Sequence, residues 1–302
     1  MGHIVKVVLT GGTGQVGRIL RRGLAGHQVH VLSRSGPEGW DGRTLGPWVS
    51  VLDGADVVIN LAGRSVSCRY TQANLDEMLR SRVDSARVVG EALAAVGRPP
   101  AVWLQASTAT IYADARGPAH DESGELGGHE PGVPDYWAFS VRIAREWEDA
   151  CFAADLPDVR RVALRSAMVM SPDPGGVFDY LRWLARLGLG GPVAGGGQYV
   201  SWVHEADFVR AVLFLVDSDL SGPVNVCAPD PLPQRELMKA LRGRRPGLPA
   251  TAWMAEVGAW VLRTDTELLL KSRRVVPGRL LDAGFEFAHP SWPEACRELC
   301  SR

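Results

Sequence analysis

A glycine-rich turn follows the first apolar run of the chain and constrains the fold more than any other feature. Residues Val5 to Leu9 form the run, and Thr10-Gly11-Gly12-Thr13-Gly14-Gln15-Val16-Gly17 comes directly after it. In this spacing Gly11 suits a tight turn off a strand, Gly14 lets a ligand approach the backbone, and Gly17 allows close helix packing. Because the N–H groups at the start of the following helix can bind a pyrophosphate, the motif predicts a dinucleotide site. We assign to it Gly11, Thr13, Gly14, Gln15, Val16 and Gly17.

The end of the second apolar run indicates which dinucleotide the site prefers. Val29 to Leu32 end about twenty residues after the glycines, where chains that bind NAD carry Asp or Glu for the ribose 2′-hydroxyl. Ser33 and Arg34 stand there instead, and a hydroxyl with a guanidinium suits a 2′-phosphate. We therefore predict NADP(H) as the cofactor. The alternative is that Arg34 is only a solvated cation of a loop.

Composition and charge exclude several other classes of protein. The 302 residues are 46% hydrophobic and 22% charged, which is ordinary for a globular protein, and the formal net charge is -1. That balance gives no electrostatic footprint for nucleic acid or anionic lipid. The chain contains no apolar run of about eighteen residues, and Met1-Gly2-His3 leads into the first strand without a signal-peptide pattern. We therefore expect a cytoplasmic protein whose partner is a small molecule, with no membrane or nucleic-acid partner; the oligomeric state stays open.

The cysteines favour a reducing compartment. There are five of them, an odd number, and most are scattered, which argues against a disulfide framework. Cys296 and Cys300 are one helical turn apart, but no second Cys pair or His cluster stands beside them in the sequence. We expect free thiols and assign no metal site.

The order of apolar runs predicts an α/β fold. Runs rich in β-branched residues alternate with helix-like stretches through the first two-thirds of the chain, which is the pattern of a Rossmann-type, doubly wound parallel sheet. The predicted strands are Val5 to Leu9, Val29 to Leu32, Val57 to Asn60, Ala101 to Ala106, Arg161 to Met170 and Val224 to Cys227. The predicted helices are Val16 to Leu24, Leu75 to Val96, Trp137 to Ala154 and Asp207 to Val216.

Proline and glycine interrupt this pattern from residue 171 onward and predict a second, smaller unit. We assign residues 1–170 to the Rossmann domain, with 200–227 returning to it, and 171–199 with 228–302 to a smaller α/β domain. Because ligands bind beyond the carboxyl ends of parallel strands, this second domain is expected to cap the crevice. Its predicted elements are the helices Gln234 to Leu241 and Trp253 to Leu262 and a closing strand, Phe285 to Phe287.

Small and hydroxyl-bearing residues follow two of the predicted strands. Leu61-Ala62-Gly63 follows one strand, and Ser107-Thr108-Ala109-Thr110-Ile111-Tyr112 follows the next. Together with the glycine turn, these segments resemble the short-chain dehydrogenase/reductase superfamily, in its extended, epimerase-like branch. The resemblance implies that a hydroxyl from the second segment polarises the substrate oxygen. Thr108 aligns with that Ser/Thr, and Ser107 is the alternative.

The same resemblance implies a Tyr with a Lys four residues later, and here the pattern fails. The tyrosine in reach is Tyr136, and Ser140 stands four residues on. Arg142 and Arg145 project from other helix faces at about 100° per residue, so they do not replace the missing lysine locally. An unassisted phenol titrates near 10, so Tyr136 is either a weakly activated catalytic candidate or a wall of the pocket. The lysines of the chain are Lys6, Lys239 and Lys271.

This departure is itself typical of a subfamily. The chain is similar to the YfcH-type "epimerase family" proteins, which lack the Tyr/Lys pair and carry a small carboxy-terminal domain. The resemblance implies cofactor contacts for Ser33, Arg34, Leu61, Ala62, Glu77 and Arg82, and Gly63 belongs to the same stretch. The segments that carry it are Asn60 to Gly63, Ser81 to Val83, Arg145 to Glu148, Leu164 to Ser166, Gly188 to Pro192, Ser201 to His204, Gly222 to Asn225 and Arg279 to Phe285.

The sequence also offers one candidate histidine and leaves two classes of function open. His204 is a candidate acid or base because its side chain titrates near neutrality, and the alternative is a structural role. Asp207 is expected either to cap its helix or to stand in its first turn as an acid. The first function class is an NADP-dependent oxidoreductase or epimerase-like enzyme acting on a small hydroxyl or carbonyl compound or a nucleotide sugar. The second is an inactive NADP(H)-binding sensor or a structural protein associated with cell division.

Overall fold

A six-stranded parallel sheet forms the centre of the molecule, in the order β2-β1-β3-β4-β5-β9. Its strands are β1 Lys6–Thr10, β2 Gln28–Leu32, β3 Val57–Asn60, β4 Val102–Thr108, β5 Arg160–Ser166 and β9 Gly222–Val226. The structure is a computed structural model that describes residues 4–66, 68, 71–131, 134–249 and 270–302, without the side chains of residues 135 and 136. The predicted Rossmann-type, doubly wound parallel sheet is confirmed.

Nine described helices and two small sheets surround this centre. The strand β6 Met168–Met170 pairs in parallel with β8 Trp202–His204, and β7 Tyr199–Val200 pairs antiparallel with β10 Leu232–Pro233. The helices are α1 Gln15–Gly23, α2 Val49–Leu52, α3 Gln72–Ala95, α4 Asp135–Phe152, α5 Val177–Arg186, α6 Glu205–Asp217, α7 Gln234–Arg242, α8 Gly278–Asp282 and α9 Trp292–Ser301.

Both faces of the sheet are covered, as continuous apolar strands require. Val7 and Leu9 of β1 pack with α1 and α6, whereas Val8 packs on the opposite face, among side chains of α3 and α4. Burying each such side chain contributes about 1.5–3 kcal/mol. The two faces therefore fix the register of β1 and place its carboxyl end, Thr10, beside Asn60 of β3.

The strand order changes direction at this point and opens the ligand crevice. The chain moves from β1 outward to β2 and then returns to place β3 on the other side of β1. Loops that leave β1 and β3 therefore separate, and the space between them is where ligands bind in open α/β sheets.

A further apolar cluster lies among α5, α7 and α9. Its centre contains Phe178, Trp202 and Trp292, whose rings meet edge to face. The predicted helix Trp253 to Leu262 falls outside the described residues, so the proposed division into 1–170 with 200–227 and 171–199 with 228–302 stays a prediction. No helix in the described part of the chain is both long and apolar enough to cross a membrane.

Two predicted strands differ from the structure. The run Arg161 to Met170 is broken at Ala167, so that β5 belongs to the central sheet and β6 pairs elsewhere. The closing strand Phe285 to Phe287 is wrong, because this segment forms no strand. Phe285 instead packs edge to face against Phe214 and Phe287, so its apolar alternation reflects ring packing rather than strand pairing.

Candidate functional site

The glycine turn after β1 has the geometry that its spacing predicts. Gly11 has φ +68°, and a Cβ there would lie 2.7 Å from Ala62 Cα. A Cβ on Gly17 would lie 2.4 Å from the carbonyl carbon of Gly12. At Gly14, by contrast, the nearest atom to an added Cβ is Gly11 O, 3.9 Å away. Gly14 therefore faces open space, which a pyrophosphate can occupy against the bare backbone.

The start of α1 completes an anion site. Gly14 occupies the N-cap position without a side-chain cap, so the first N–H groups of α1 are available to a ligand. Thr13 beside it is exposed. The Nε2 atom of Gln15 is buried and has no hydrogen-bond partner among the described residues. It lies against Gly176 at the start of α5, where a Cβ would come within 2.2 Å of it.

Ser33 and Arg34 lie just beyond the carboxyl end of β2, next to β1. Gly36 N–H donates to Ser33 O at 2.9 Å, which closes a turn, and the Ser33 and Ser35 hydroxyls are 3.4 Å apart. Arg34 is exposed and makes no hydrogen bond or ion pair with any residue that the structure describes. Its guanidinium is available to a phosphate, so these residues fit the 2′-phosphate of NADP(H).

Buried polar contacts shape the turn after β3. Asn60 Oδ1 accepts from Thr10 Oγ1 at 2.6 Å and from Ala62 N–H at 3.0 Å, while its Nδ2 donates to Gln105 Oε1 at 2.9 Å. These bonds hold Leu61 and Ala62 close to the glycine turn. The two segments that the sequence assigned to the cofactor are thus adjacent in space.

A cavity of about 320 Å³ extends from these two turns to the carboxyl ends of β4 and β5. Val16 and Leu61 form its cofactor side, and hydroxyls from β4, β5 and α4 lie across from them. The lining residues are Val16, Leu61, Val66, Met78, Arg82, Ala106, Ser107, Thr108, Thr110, Ser140, Ile143, Trp147, Leu164, Ser166 and Phe208.

The two candidate hydroxyls of β4, Ser107 and Thr108, differ in whether a proton is left to donate to a ligand. Ser107 Oγ donates to Glu148 Oε1 at 2.5 Å, and both side chains are buried. Thr108 Oγ1 lies 3.1 Å from Thr110 Oγ1 and accepts from Thr110 N–H at 3.2 Å. Because one hydrogen bond joins the two threonine hydroxyls, one of their two protons is left for a ligand. Ser107 instead presents only lone pairs to the cavity.

A buried ion pair fixes the orientation of Ser107. Arg165 donates through Nε and Nη2 to the two oxygens of Glu148, at 2.9 and 2.8 Å, and through Nη1 to Tyr112 Oη at 2.9 Å. Tyr112 Oη donates to Asn225 Oδ1 at 2.8 Å. Burial raises the pKa of Tyr112 to about 12 against the opposing effects of Arg165 and Asn225. Tyr112 is therefore a neutral structural phenol rather than a base.

The charged residues predicted on α3 lie in different surroundings. Arg82 lines the cavity, with its guanidinium 5.2 Å from the centre of the Trp147 ring and Nη1 2.9 Å from Met78 O. Gly63 packs against the same arginine. Glu77 accepts two hydrogen bonds from Arg43 Nη2, at 2.8 and 3.0 Å, and does not line the cavity. Of Arg82 and Glu77, only Arg82 therefore shares the cavity with the Ser107 and Thr108 hydroxyls.

Helix α4 presents Ser140 to the cavity, where the superfamily pattern implies a lysine. Arg142 pairs with Glu146, and Arg145 donates to Leu126 O and Gly127 O, so neither guanidinium lines the cavity. Tyr136 lies in the first turn of α4, and its side chain is outside the described part of the structure.

His204 lies away from the cavity, at the start of α6. It is fully buried; its Nδ1 accepts from Ala206 N–H at 3.1 Å, and its Nε2 is 2.9 Å from Glu298 Oε2. His204 and not Asp207 caps α6, and Asp207 stands in the first turn as an acid. The buried Asp207 carboxylate accepts from Ala288 N–H and His289 N–H, at 2.8 and 2.7 Å.

The environment of His204 predicts how stability changes with pH. Burial, partly opposed by Glu298, lowers the pKa of His204 below the ordinary 6.5. Between the two values an unfolded chain binds a proton that the folded one does not, so the unfolding free energy falls as pH drops below about 6.5. We expect the free energy of unfolding to fall between pH 7 and 5.5, measured by urea unfolding. His204→Asn keeps a capping acceptor and should flatten the curve; parallel curves would contradict the assignment.

Several residues of the site carry no local sequence signal. Thr110 follows β4 and Ser166 ends β5, so the general rule that sites lie at the carboxyl ends of strands is sufficient to find them. Ser140, Trp147 and Glu148 lie on the inner face of α4, which is defined only once the helix packs. The sequence marked Glu148 and Arg165 as separate motifs, and the structure joins them in one contact.

The fold and the site together define a Rossmann-type protein built to hold a dinucleotide beside a hydroxyl-lined cavity. Residues 7–227 match the NAD dependent epimerase/dehydratase family, and the chain belongs to that family. Residues 250–299 match a domain of unknown function, DUF1731. The predicted membership of the extended short-chain dehydrogenase/reductase type is thereby confirmed.

Three proteins that are similar over 98% of this chain are named as epimerases or epimerase family proteins. The chain is 31% identical to the epimerase family protein SDR39U1 of Bos taurus, over 98% of this chain and 99% of that protein. A crystal structure of human SDR39U1 with NADPH has a TM-score of 0.84 and 26% identity, covering 98% of this chain and 99% of that one. A nucleoside-diphosphate sugar epimerase from Corynebacterium glutamicum has a TM-score of 0.75 and 28% identity, covering 98% of this chain and 58% of that one.

Proposed function

We propose that this protein is an NADP(H)-dependent oxidoreductase or epimerase-like enzyme acting on a small hydroxyl or carbonyl compound. The observation that carries the proposal is the cavity, which joins Val16 and Leu61 of the cofactor turns to the hydroxyls of Thr108 and Thr110. The glycine turn and Leu61 would hold a dinucleotide so that its nicotinamide half could occupy that cavity.

The choice of NADP(H) rests on the residues beyond β2. Ser33 and the exposed Arg34 offer a hydroxyl and a guanidinium to a 2′-phosphate, and the start of α1 with Gly14 accommodates the pyrophosphate. The NADPH bound to the human relative supports this choice. When bound, the cofactor supplies or accepts a hydride.

The chain's own contribution is to orient and polarise the substrate oxygen. In the proposed site the Thr108–Thr110 hydroxyl pair donates a hydrogen bond to that oxygen, because it has a proton to give. Ser107 accepts a hydrogen bond from the ligand instead, because its own O–H donates to Glu148. Trp147 and Ile143 give the cavity an apolar wall, which strengthens these hydrogen bonds by excluding water. His204, which caps α6 and is buried away from the cavity, has no role in the proposed site.

Turnover with a panel of carbonyl compounds and nucleotide sugars tests the proposal, the sugars being suggested by the Corynebacterium relative. Cofactor absorbance is followed with NADPH and with NADH, and we expect NADPH to be used far better. Thr108→Ala should lower kcat about 100-fold and Ser107→Ala by less. Ser50→Ala, an exposed hydroxyl on α2, serves as the control. Undiminished turnover in a Ser107→Ala/Thr108→Ala/Thr110→Ala variant would exclude the hydroxyl assignment.

A second candidate is a cofactor-holding protein without turnover. It is favoured by Ser140, which occupies the cavity position where a lysine is implied, and by the raised pKa of Tyr112, about 12, which removes that phenol as a base. Tight NADPH binding combined with no turnover across the panel would support this candidate over the first.

A further inference from the structure

A buried lysine lies directly behind the hydroxyl-lined wall of the cavity. Lys271 is only 2% exposed, and its Nζ donates to Thr110 O at 2.9 Å. The ammonium also lies 5.9 Å from the centre of the Trp137 ring, on the first turn of α4. Because removing an ammonium from water is costly, lysines are among the side chains least often buried.

The position of Lys271 is set by the residues that follow it. Ser272 N–H donates to Asp114 Oδ1 at 2.7 Å, and Ser272 Oγ donates to Ala115 O at 2.6 Å. A few residues on, Val276 N–H donates to His120 O at 2.9 Å. These bonds attach the segment to the loop beyond β4, so the ammonium meets Thr110 at a fixed place.

The charge of Lys271 also acts on a nearby carboxylate, that of Glu130. Burial raises the pKa of Glu130, but hydrogen bonds from the backbone, among them those of Asp114 and Gly128, and the charge of Lys271 outweigh it and lower the pKa overall. Asp114 N–H donates to Glu130 Oε1 at 3.0 Å. The positive charge of Lys271 is therefore felt by the carboxylate of Glu130, which is itself bonded to the loop after β4 through Asp114 N–H.

We propose that Lys271 is a positioning residue for the nicotinamide half of the cofactor. By binding Thr110 O, it holds the short turn that carries the Thr108 and Thr110 hydroxyls toward the cavity. The carboxy-terminal region thereby supplies a cation beside the site, whereas α4 supplies Ser140. The inference rests on the NADP(H) binding in the proposed function and is independent of turnover.

The test compares two ligands that differ only in the nicotinamide. Kd is measured by titration calorimetry for NADPH and for 2′-phospho-ADP-ribose, which keeps the 2′-phosphate and pyrophosphate. Lys271→Met should weaken NADPH binding about tenfold and leave 2′-phospho-ADP-ribose binding unchanged, because in the proposed site only the nicotinamide half would enter the cavity that Thr108 and Thr110 line. Lys271→Gln keeps a hydrogen-bond donor without the charge, so its affinity for NADPH should lie between those of Lys271→Met and the wild type. Lys271→Arg should regain most of the wild-type affinity.

Lys6→Met is the matched control, because Lys6 Nζ also donates to a backbone carbonyl, Asp53 O at 2.8 Å, at the opposite end of the sheet. It should leave the ratio of the two Kd values at the wild-type value. Equal weakening of both ligands by Lys271→Met and Lys271→Gln would overturn the proposal, since it would indicate general loosening. Unchanged NADPH affinity would also overturn it. A wild-type protein that binds neither ligand would overturn the proposed function, and this inference with it.

Discussion

Arg165→Met is expected to lower the free energy of unfolding by about 3–5 kcal/mol, because it leaves the buried carboxylate of Glu148 without its ion-pair partner. Both side chains of the pair are less than a tenth exposed, and the two charge-assisted bonds are 2.8 and 2.9 Å long. Urea unfolding at neutral pH measures the loss.

Replacing both partners separates the cost of an unpaired charge from the loss of packing. The Glu148→Met/Arg165→Met double variant should regain all but about 1–2 kcal/mol, since apolar side chains of similar volume fill the same space and Ser107 and Tyr112 each lose one partner. Arg142→Met, which breaks an exposed pair with Glu146, is the control and should cost less than about 1 kcal/mol. A double variant less stable than Arg165→Met alone would contradict this account.

Two glycine substitutions in the turn after β1 are expected to have opposite signatures. Gly14→Ala should weaken NADPH binding at least about tenfold and change stability by less than about 0.5 kcal/mol, because the added methyl group occupies ligand space and the φ of -70° suits alanine. Gly17→Ala should weaken binding about 100-fold and also cost about 1–3 kcal/mol, because the methyl group collides with the backbone of Gly12. Fluorescence titration and urea unfolding measure the two quantities.

The contrast between these two variants is the informative result. A stability loss in Gly14→Ala equal to that in Gly17→Ala would show that the turn has no open face for a ligand. Gly26→Ala, at a site where no atom lies within 4 Å of the added Cβ, provides a control for the effect of the methyl group itself.

The parts of the molecule that the sequence predicts are those determined by neighbouring residues. The glycine turn and the strand β3, Val57–Asn60, depend on local spacing and apolar periodicity, and the structure places them where these patterns indicate. His204 shows the limit of this reasoning. A histidine before a helix suits either chemistry or capping, and only its contacts with Ala206 and Glu298 describe its actual surroundings.

Contacts between distant parts of the chain carry no comparable signal. Lys271 is 161 residues from Thr110, and Arg165 is 53 residues from Tyr112, yet both contacts are hydrogen bonds of 2.9 Å. The sequence correctly shows that α4 contains no lysine. It does not show that a cation reaches the end of β4 from the carboxy-terminal region, since that depends on how the segment after residue 270 packs.

The contact between Gln15 and Gly176 links the start of α1 to the start of α5. A Cβ on Gly176, the residue before α5, would lie 2.2 Å from Nε2 of Gln15, the first residue of α1, so a side chain there would displace the Gln15 amide. A ligand that drew this amide toward its phosphates would change the contact at the start of α5, and a displacement of α5 would change the surroundings of the anion site. By thermodynamic reciprocity, any effect of the position of α5 on cofactor affinity would be matched by an equal effect of the cofactor on that position.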